Sequence, residues 1–277
     1  MFLFLDIGGT NTRITTTSSP DAFTPPVKCP TPPIFTEAIA ALSAQILPLV
    51  ADQPIQGVVV GLPGTMNKET GRLAASPNLS DWIGHPIQEE LENLTQVPVR
   101  IINDSALAGL GEACSGAGRD FDIVAYLTIS TGVGGARIVN QKIDANSYGF
   151  EPGFHIIDAS GTLCPDCHSP SSLEDLVGGA SIAKRFNCHP KAIKDPQVWS
   201  SLAEWLAYGL TNITFLWSPS VIVLGGPMMR DIPLGQVIKA TTNLTSFIPT
   251  PPVIKPATLG DDRAFYGALA LVKDSIK

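Results

Sequence analysis

Two short glycine-rich segments, each following a run of apolar residues, are the first candidates for chemistry. The earlier segment reads Asp6-Ile-Gly-Gly-Thr10 and continues into Asn11, and the later one reads Ser130-Thr-Gly-Val-Gly-Gly135. Glycine lets backbone N–H groups approach an anion closely, and threonine adds a hydroxyl donor. A hairpin turn is the alternative for each segment taken alone. Because both occur at the starts of similar halves of the chain, we predict that they bind one polyphosphate through Gly8, Gly9, Thr10, Asn11, Thr131, Gly132 and Gly134.

Asp6 stands at the end of the first apolar run. A carboxylate is a hard oxygen ligand of the kind that Mg²⁺ prefers, and here it would act through a bound water. An Asx turn is the alternative role for this residue. The sequence therefore predicts that Asp6 holds, through water, the Mg²⁺ that accompanies the polyphosphate.

Strand-like and helix-like patterns alternate along the chain and must position these residues. Strands are predicted over 2–6, 14–17, 57–60, 99–102, 123–129, 136–139 and 221–224, and helices over 36–50, 86–94, 105–113, 173–186, 199–217 and 261–277. Segments 18–33 and 140–172 are predicted to be irregular. Two halves that each begin with a strand, a glycine turn and a strand predict two similar α/β domains around a cleft. Ligands in such folds bind at the carboxyl ends of strands.

The composition limits the class of protein. Of the 277 residues, 44% are hydrophobic and 16% are charged, which is typical of a folded globular chain. A formal net charge of -7 argues against partners such as nucleic acid or an anionic membrane. The opening apolar run is too short for a signal peptide, no stretch is long enough for a membrane helix, and a cytoplasmic protein is expected. Five cysteines, of which only Cys164 and Cys167 are close in sequence, do not predict a disulfide framework.

Several motifs together resemble the ROK family (repressors, open reading frames and sugar kinases), and they cover nearly the whole chain in the family's order. They are Asp6-Ile-Gly-Gly-Thr10, Gly61-Leu-Pro-Gly64, Ser76-Pro-Asn-Leu79 with Trp82, Asn103-Asp-Ser-Ala-Leu-Ala108, Thr131-Gly-Val-Gly-Gly135, Leu224-Gly-Gly226 and Leu259-Gly-Asp-Asp262. The resemblance implies a two-domain actin-like ATPase (ribonuclease H-like) fold with a central cleft. The expected domains are 1–105, completed by a helix at 263–277, and 106–262, which includes a zinc- and sugar-binding loop at 150–175.

The resemblance also implies roles for individual residues. Asp104 looks like the family's catalytic base, and Gly64, Asn78 and Asn103 resemble its sugar-binding residues, while Gly225 and Gly226 match a nucleotide-binding motif. A helix N-cap is the alternative role for Asn103 and Asp104.

The sugar motif of the family has a counterpart in Glu151-Pro-Gly-Phe-His155, in which Phe154 is one residue more than the family has. Glu174 resembles a further sugar-binding glutamate, with a surface role as its alternative. The resemblance implies a structural zinc, for which this chain offers His155, Cys164, Cys167 and His168, although Ser172 replaces the family's last cysteine.

The implied function is phosphorylation of a hexose by ATP with Mg²⁺, and glucose is the first choice of acceptor. Alternative acceptors are N-acetylglucosamine, N-acetylmannosamine, mannose and fructose, since motifs do not encode the fit around C2. A catalytically dead sugar-binding protein and a sugar-responsive regulator are the alternatives from other classes. The family's regulators carry a helix-turn-helix before the first strand, which here begins at Phe2. A homodimer is expected.

Overall fold

The structure, a computed structural model, describes residues 1–50, 54–67, 69–76, 78–165, 167 and 169–273. The strands are β1 (Phe2–Ile7), β2 (Asn11–Thr17), β3 (Val27–Pro30), β4 (Gly57–Leu62), β5 (Thr65–Asn67), β6 (Arg72–Ala75), β7 (Val99–Asn103), β8 (Ile123–Ile129), β9 (Val133–Val139), β10 (Lys142–Ile143), β11 (Ile156–Asp158), β12 (Ser171–Ser172), β13 (Val221–Gly225) and β14 (Val253–Pro256). The helices are α1 (Phe35–Val50), α2 (Ile87–Thr95), α3 (Asp104–Ser115), α4 (Leu173–Val177), α5 (Gly179–Phe186), α6 (Pro196–Trp217), α7 (Leu234–Leu244) and α8 (Arg263–Val272).

The chain divides into two compact units. The first comprises 1–114, 146–149 and 259–277, and the second comprises 115–145 and 150–258. The predicted boundary after residue 105 falls at the start of α3, whereas α3 up to Cys114 belongs to the first unit. The reason is that α3 and α8 cross within that unit, where a Cβ atom on Gly267 would overlap the carbonyl oxygen of Leu107.

The sheet of the first unit has the strand order β3-β2-β1-β4-β7. β1 pairs antiparallel with β2 and parallel with β4, which in turn pairs parallel with β7. Leu3 and Leu5 belong to one apolar cluster and Phe2 and Phe4 to another, so both faces of β1 are covered. This burial explains why the strand is almost continuously apolar. The parallel pairing brings the carboxyl ends of β1, β4 and β7 to the same edge.

The sheet of the second unit repeats this plan with the order β10-β9-β8-β13-β14. β8 pairs antiparallel with β9 and parallel with β13, and β13 pairs parallel with β14. The prediction that each half begins with a strand, a glycine turn and a strand is therefore confirmed. An apolar cluster that includes Leu127, Leu206 and Ile222 fills the core of this unit.

The main differences from the predicted elements lie outside the central strands. The helix predicted over 173–186 is two helices, because Gly178 has an extended backbone (φ -67°, ψ 139°) between α4 and α5. The segments predicted to be irregular contain the short strands β3, β10, β11 and β12. Among the described residues, no helix combines the length and the apolar character that crossing a membrane requires.

Candidate active site

The polar residues of the first unit gather where its parallel strands end. Asp6 lies opposite Gly61 in the pairing of β1 with β4, and Leu62 lies opposite Asn103 in the pairing of β4 with β7. The absence of a side chain on Gly61 matters, because a Cβ atom there would lie 3.6 Å from Oδ1 of Asp6. Asp104 follows β7 directly and is the first residue of α3. The pairing of β1 with β4 and of β4 with β7 thus brings Asp6 and Asp104 to the same edge of the sheet.

Both carboxylates hold their protons more tightly than exposed aspartates do. Burial, followed by the negative charge of Asp104, raises the pKa of Asp6 to about 6. Burial also raises the pKa of Asp104, against the opposing effect of hydrogen bonds from Ser105, whose N–H donates to Oδ1 of Asp104 at 2.7 Å. A carboxylate with a raised pKa is a stronger base, and one in a polar cluster at strand ends is a candidate for proton transfer.

Two arginines that motif reading did not assign to the site also act on Asp6. The charges of Arg13 and Arg263 lower the pKa of Asp6 and so oppose its burial, and Arg263 does the same for Asp104. The guanidinium of Arg13 forms an ion pair with Asp262 and lies over the ring of Phe265, 4.8 Å from its centroid. Arg13 and Arg263 are 250 positions apart, so no local pattern could have joined them.

Asn103 has a structural role that the sequence offered only as an alternative. Its Oδ1 accepts a hydrogen bond from the N–H of Ala106 at 3.1 Å, which caps α3. Its Nδ2 donates to the carbonyl oxygen of Gly64 at 3.2 Å. The predicted sugar-binding residues Asn103 and Gly64 are therefore in direct contact. The contribution of Asn103 to sugar binding stays a prediction.

The first glycine segment is the turn between β1 and β2. The N–H of Gly8 donates to the carbonyl oxygen of Asn11 at 2.9 Å, and the carbonyl oxygen of Thr10 accepts from the N–H of Thr31. A Cβ atom on Gly9 would lie 2.6 Å from Cβ of Asn78, so this turn and Asn78 are packed together. The hairpin alternative thus holds, and the predicted phosphate role of the same turn remains open to experiment.

In the second unit, the second glycine segment lies against Glu174. The N–H of Val133 donates to Oε2 of Glu174 at 2.7 Å, and a Cβ atom on Gly132 would overlap the same carboxylate. Glu174, which is predicted to bind sugar, therefore accepts a hydrogen bond from an N–H of the segment that is predicted to bind phosphate. While this bond exists, the Val133 amide is not available to a phosphate oxygen. The sequence could not reveal the contact, since the two residues are 41 positions apart.

Gly225 and Gly226 lie beside this turn at the end of β13. Gly225 pairs with Thr128 of β8. Gly226 has a φ of +94°, and a Cβ atom there would overlap the carbonyl oxygen of Ile129. Only glycine permits this conformation and this close approach. The structure thus brings together the two glycine segments that the sequence assigned to nucleotide binding in this half.

His155 is half-buried and has one ring nitrogen engaged. Its Nδ1 lies 2.5 Å from the carbonyl oxygen of Pro152, an acceptor, so Nδ1 carries the proton. Burial lowers the pKa of His155, which favours the neutral ring. Nε2 is buried without a hydrogen-bond partner among the described residues. Phe154, the residue inserted in the family's motif, is 63% exposed, so the insertion is accommodated at the surface.

The prediction of a zinc site does not fit the residues as the structure arranges them. Cys164 and Cys167 form a disulfide with each other, and a disulfide sulfur is not the thiolate that binds zinc. In the part of the chain that is described, no group of three or more His, Cys, Asp and Glu side chains is placed to hold a metal ion. His168 lies outside the described residues. This one local disulfide is not a framework, and the cysteines that form no disulfide among the described residues are Cys29, Cys114 and Cys188.

Comparison with known proteins adds the family. The ROK family model matches residues 3–275. A glucokinase of Thermotoga maritima is 24% identical over 276 residues, which cover 87% of this chain and 86% of that protein. A ROK hexokinase from Thermus thermophilus has a similar structure, with a TM-score of 0.80 and 26% identity over 99% of each chain. A ROK family glucokinase from Streptomyces griseus, solved in complex with glucose and AMPPNP, has a TM-score of 0.77 and 22% identity over 98% of each chain.

These likenesses confirm the predicted α/β fold of the actin-like ATPase class, with which the two repeated sheets agree. The family model covers almost every residue of the chain. The chain therefore belongs to the ROK family.

Proposed function

We propose that this protein is a sugar kinase that transfers the γ-phosphoryl group of ATP to a hexose, with glucose as the preferred acceptor and O6 as the attacking atom. The observation that carries the proposal is the partly buried carboxylate of Asp104, with its raised pKa, near Asp6 at the carboxyl edge of the parallel strands. Family membership and the glucokinases among the relatives support the reaction class. The AMPPNP complex of the Streptomyces griseus glucokinase supports ATP as the donor.

In the proposed reaction, Asp104 accepts the proton of the sugar O6–H. The oxygen forms a bond to the γ-phosphorus, and the bond to the bridging oxygen breaks, leaving its electron pair on ADP. The charge of Arg263 lowers the pKa of both Asp104 and Asp6, which favours their ionised forms against the effect of burial. The role of the protein is mainly to position the reactants, since the transition state of phosphoryl transfer is loose.

Asp6 fits the role of magnesium ligand. Its carboxylate is partly buried, and the negative charge of Asp104 disfavours its ionised form, an arrangement that a cation relieves. Mg²⁺, when bound, neutralises charge on the phosphates. The turn at Gly8 and Gly9 begins two positions after Asp6 and is the proposed binding segment for the nucleotide phosphates.

The acceptor sugar is proposed to meet His155, Glu151 and Glu174 of the second unit. Nε2 of the neutral His155 ring is a hydrogen-bond acceptor, so it suits a sugar hydroxyl as donor. Glu174 is held in place by the N–H of Val133, which orients its carboxylate before a ligand binds. Carboxylates and a neutral imidazole together favour a sugar with free hydroxyls near C1 and C2.

Glucose is therefore expected to have a higher kcat/KM than hexoses altered at C2. An acetamido group in place of the C2 hydroxyl would leave an acceptor unpaired, which typically costs about 1–3 kcal/mol, or roughly 5- to 150-fold. A coupled assay of ADP release with glucose, mannose, fructose, N-acetylglucosamine and N-acetylmannosamine measures this preference. A higher kcat/KM for either acetamido sugar would show that the acceptor is one of the alternatives. Absence of turnover with every hexose would refute the kinase function itself.

The pH dependence of turnover follows from the two raised pKa values. Asp104 accepts a proton only when ionised, and Asp6 binds a cation only when ionised. Since the pKa of Asp6 is raised to about 6 and that of Asp104 is also raised, kcat/KM is expected to fall as the pH decreases through about 6. Initial rates at subsaturating Mg²⁺ across the acid range measure the inflection, because bound Mg²⁺ lowers the pKa of a carboxylate ligand. An inflection near the value of an exposed aspartate, about 4, would contradict the proposed roles.

A further inference from the structure

The loop between β11 and β12 is organised around the carboxylate of Asp158. Its Oδ1 accepts a hydrogen bond from the N–H of Thr162 at 3.0 Å, and its Oδ2 accepts from the N–H groups of Leu163 at 2.9 Å and Cys164 at 3.4 Å. Only 3% of Asp158 is exposed. Burial raises its pKa, but the backbone donors lower it by more, so that the net pKa lies below the usual value and the residue is an anion.

The same loop is anchored in the core through Cys164. This side chain is 4% exposed and belongs to the apolar cluster that contains Leu173 and Leu176 of α4. The N–H of Cys167 donates to the carbonyl oxygen of Cys164 at 2.9 Å, and the disulfide joins the same two residues. The bonds to Asp158 therefore fix a segment that shares an apolar cluster with α4.

α4 carries Glu174, one of the proposed sugar-binding residues. Asp158 pairs with Ser171 at the start of β12, and Ser172 then caps α4 through reciprocal hydrogen bonds with Asp175. The N–H of Leu173, the first residue of α4, donates to the carbonyl oxygen of His155 at 3.0 Å. A continuous set of short contacts thus leads from the Asp158 carboxylate to Glu174 on one side and His155 on the other.

We propose that Asp158 is a positioning residue for the acceptor sugar, because its carboxylate ties down the loop that a metal ion was expected to hold. The proposal rests on the sugar-binding role of Glu174 and His155 given above. A buried anion with three backbone donors replaces a metal as the internal cross-link. The disulfide of Cys164 and Cys167 supports the same turn and leaves no thiolate for zinc.

Asp158→Asn tests the positioning role, with Asp195→Asn as its matched control. Asn keeps the size of Asp but turns an N–H group toward the backbone donors of the loop. Asp195 also accepts a backbone N–H, from Gln197 at 2.9 Å, but it caps α6 in the same unit and is exposed. Asp158→Asn is expected to raise the glucose KM by about 10-fold while the ATP KM and kcat change by less than about 3-fold, because only the orientation of sugar contacts is lost.

In Asp195→Asn, both KM values are expected to stay within about 2-fold of the wild-type values. A role limited to stability would instead lower the active fraction and hence kcat, with both KM values unchanged. That outcome would overturn the proposal. A second outcome would also overturn it: the wild-type protein contains one zinc per chain, and removal of that zinc in the presence of Mg²⁺ raises the glucose KM.

Amide hydrogen exchange gives a readout that needs no turnover. The N–H groups of Thr162, Leu163 and Cys164 are expected to exchange at least about 10-fold faster in Asp158→Asn than in the wild type. Unchanged exchange would refute the role of Asp158 in the loop. Failure of the kinase function is seen separately, as wild-type protein that phosphorylates no hexose, so the two failures are distinguishable.

Discussion

Replacing Asp104 with asparagine is expected to lower kcat by about 10²- to 10⁴-fold, with the smaller loss favoured if the transition state is loose. Asn keeps the size of Asp and an oxygen that accepts from Ser105, so the start of α3 survives. What the change removes is the proton acceptor. The glucose KM and the ATP KM are expected to stay within a few-fold of normal, as for an interaction made in the transition state. Steady-state kinetics with both substrates varied measure the change.

A stability measurement provides the control for this variant. Burial raises the pKa of Asp104, so the ionised form destabilises the folded state at a pH above that raised value. Asp104→Asn is therefore expected to raise Tm at about pH 8, where the wild-type side chain is charged, and to lose that advantage on acidification. A variant with near-normal kcat would show that Asp104 only supports the first turn of α3 through Ser105, and that another group accepts the proton.

Gly64→Ala is expected to destabilise the first unit by about 3 kcal/mol and to raise the glucose KM by about 10-fold. Gly64 has a φ of +112°, which side-chain-bearing residues rarely adopt, and a Cβ atom there would overlap the carbonyl oxygen of Ala75. Its own carbonyl oxygen accepts from Asn103. The strand end next to Asp104 must shift to make room, so both stability and sugar affinity suffer. Urea unfolding and steady-state kinetics measure the two effects.

Gly71→Ala is the matched control. Gly71 also has a positive φ, +65°, but the nearest atom to a Cβ there is the side-chain oxygen of Gln88 at 3.5 Å, an ordinary contact. Gly71→Ala is expected to lower the free energy of unfolding by about 1–2 kcal/mol, the cost of a left-handed conformation, and to leave the glucose KM unchanged. Equal effects of the two substitutions on KM would mean that Gly64 has no special connection to the sugar site.

The central architecture was predictable because it depends on local patterns. Apolar runs that end on Asp6 and on Asn103 fix β1 and β7, and the parallel register then places their carboxyl ends together. The glycine turns were equally visible, since a turn needs residues at adjacent positions. These features gave both the repeated sheet and the carboxylate edge of the candidate site.

Contacts between distant segments were not predictable in this way. The pKa of Asp6 depends partly on the charge of Arg263, which is distant in sequence. The orientation of Glu174 depends on a hydrogen bond from the N–H of Val133, 41 positions away. α7 was missed because its sequence, which contains Gly235 and two adjacent threonines, has low helix propensity, and burial of Val237 and Thr241 stabilises it instead. The zinc prediction was carried over from the family although Ser172 had already replaced one ligand.

The contact of α8 with α3 has a consequence for how the protein folds during synthesis. The core of the first unit requires Phe265 and Ala268 of α8, which pack with Phe4 of β1 and Leu107 of α3. A ribosome makes the chain from its amino end, so the second unit is translated after β1 and α3 and before α8, their packing partner. The second unit, by contrast, has its strands and core helices between residues 115 and 258. The unit that carries Asp104 is thus begun first and completed last.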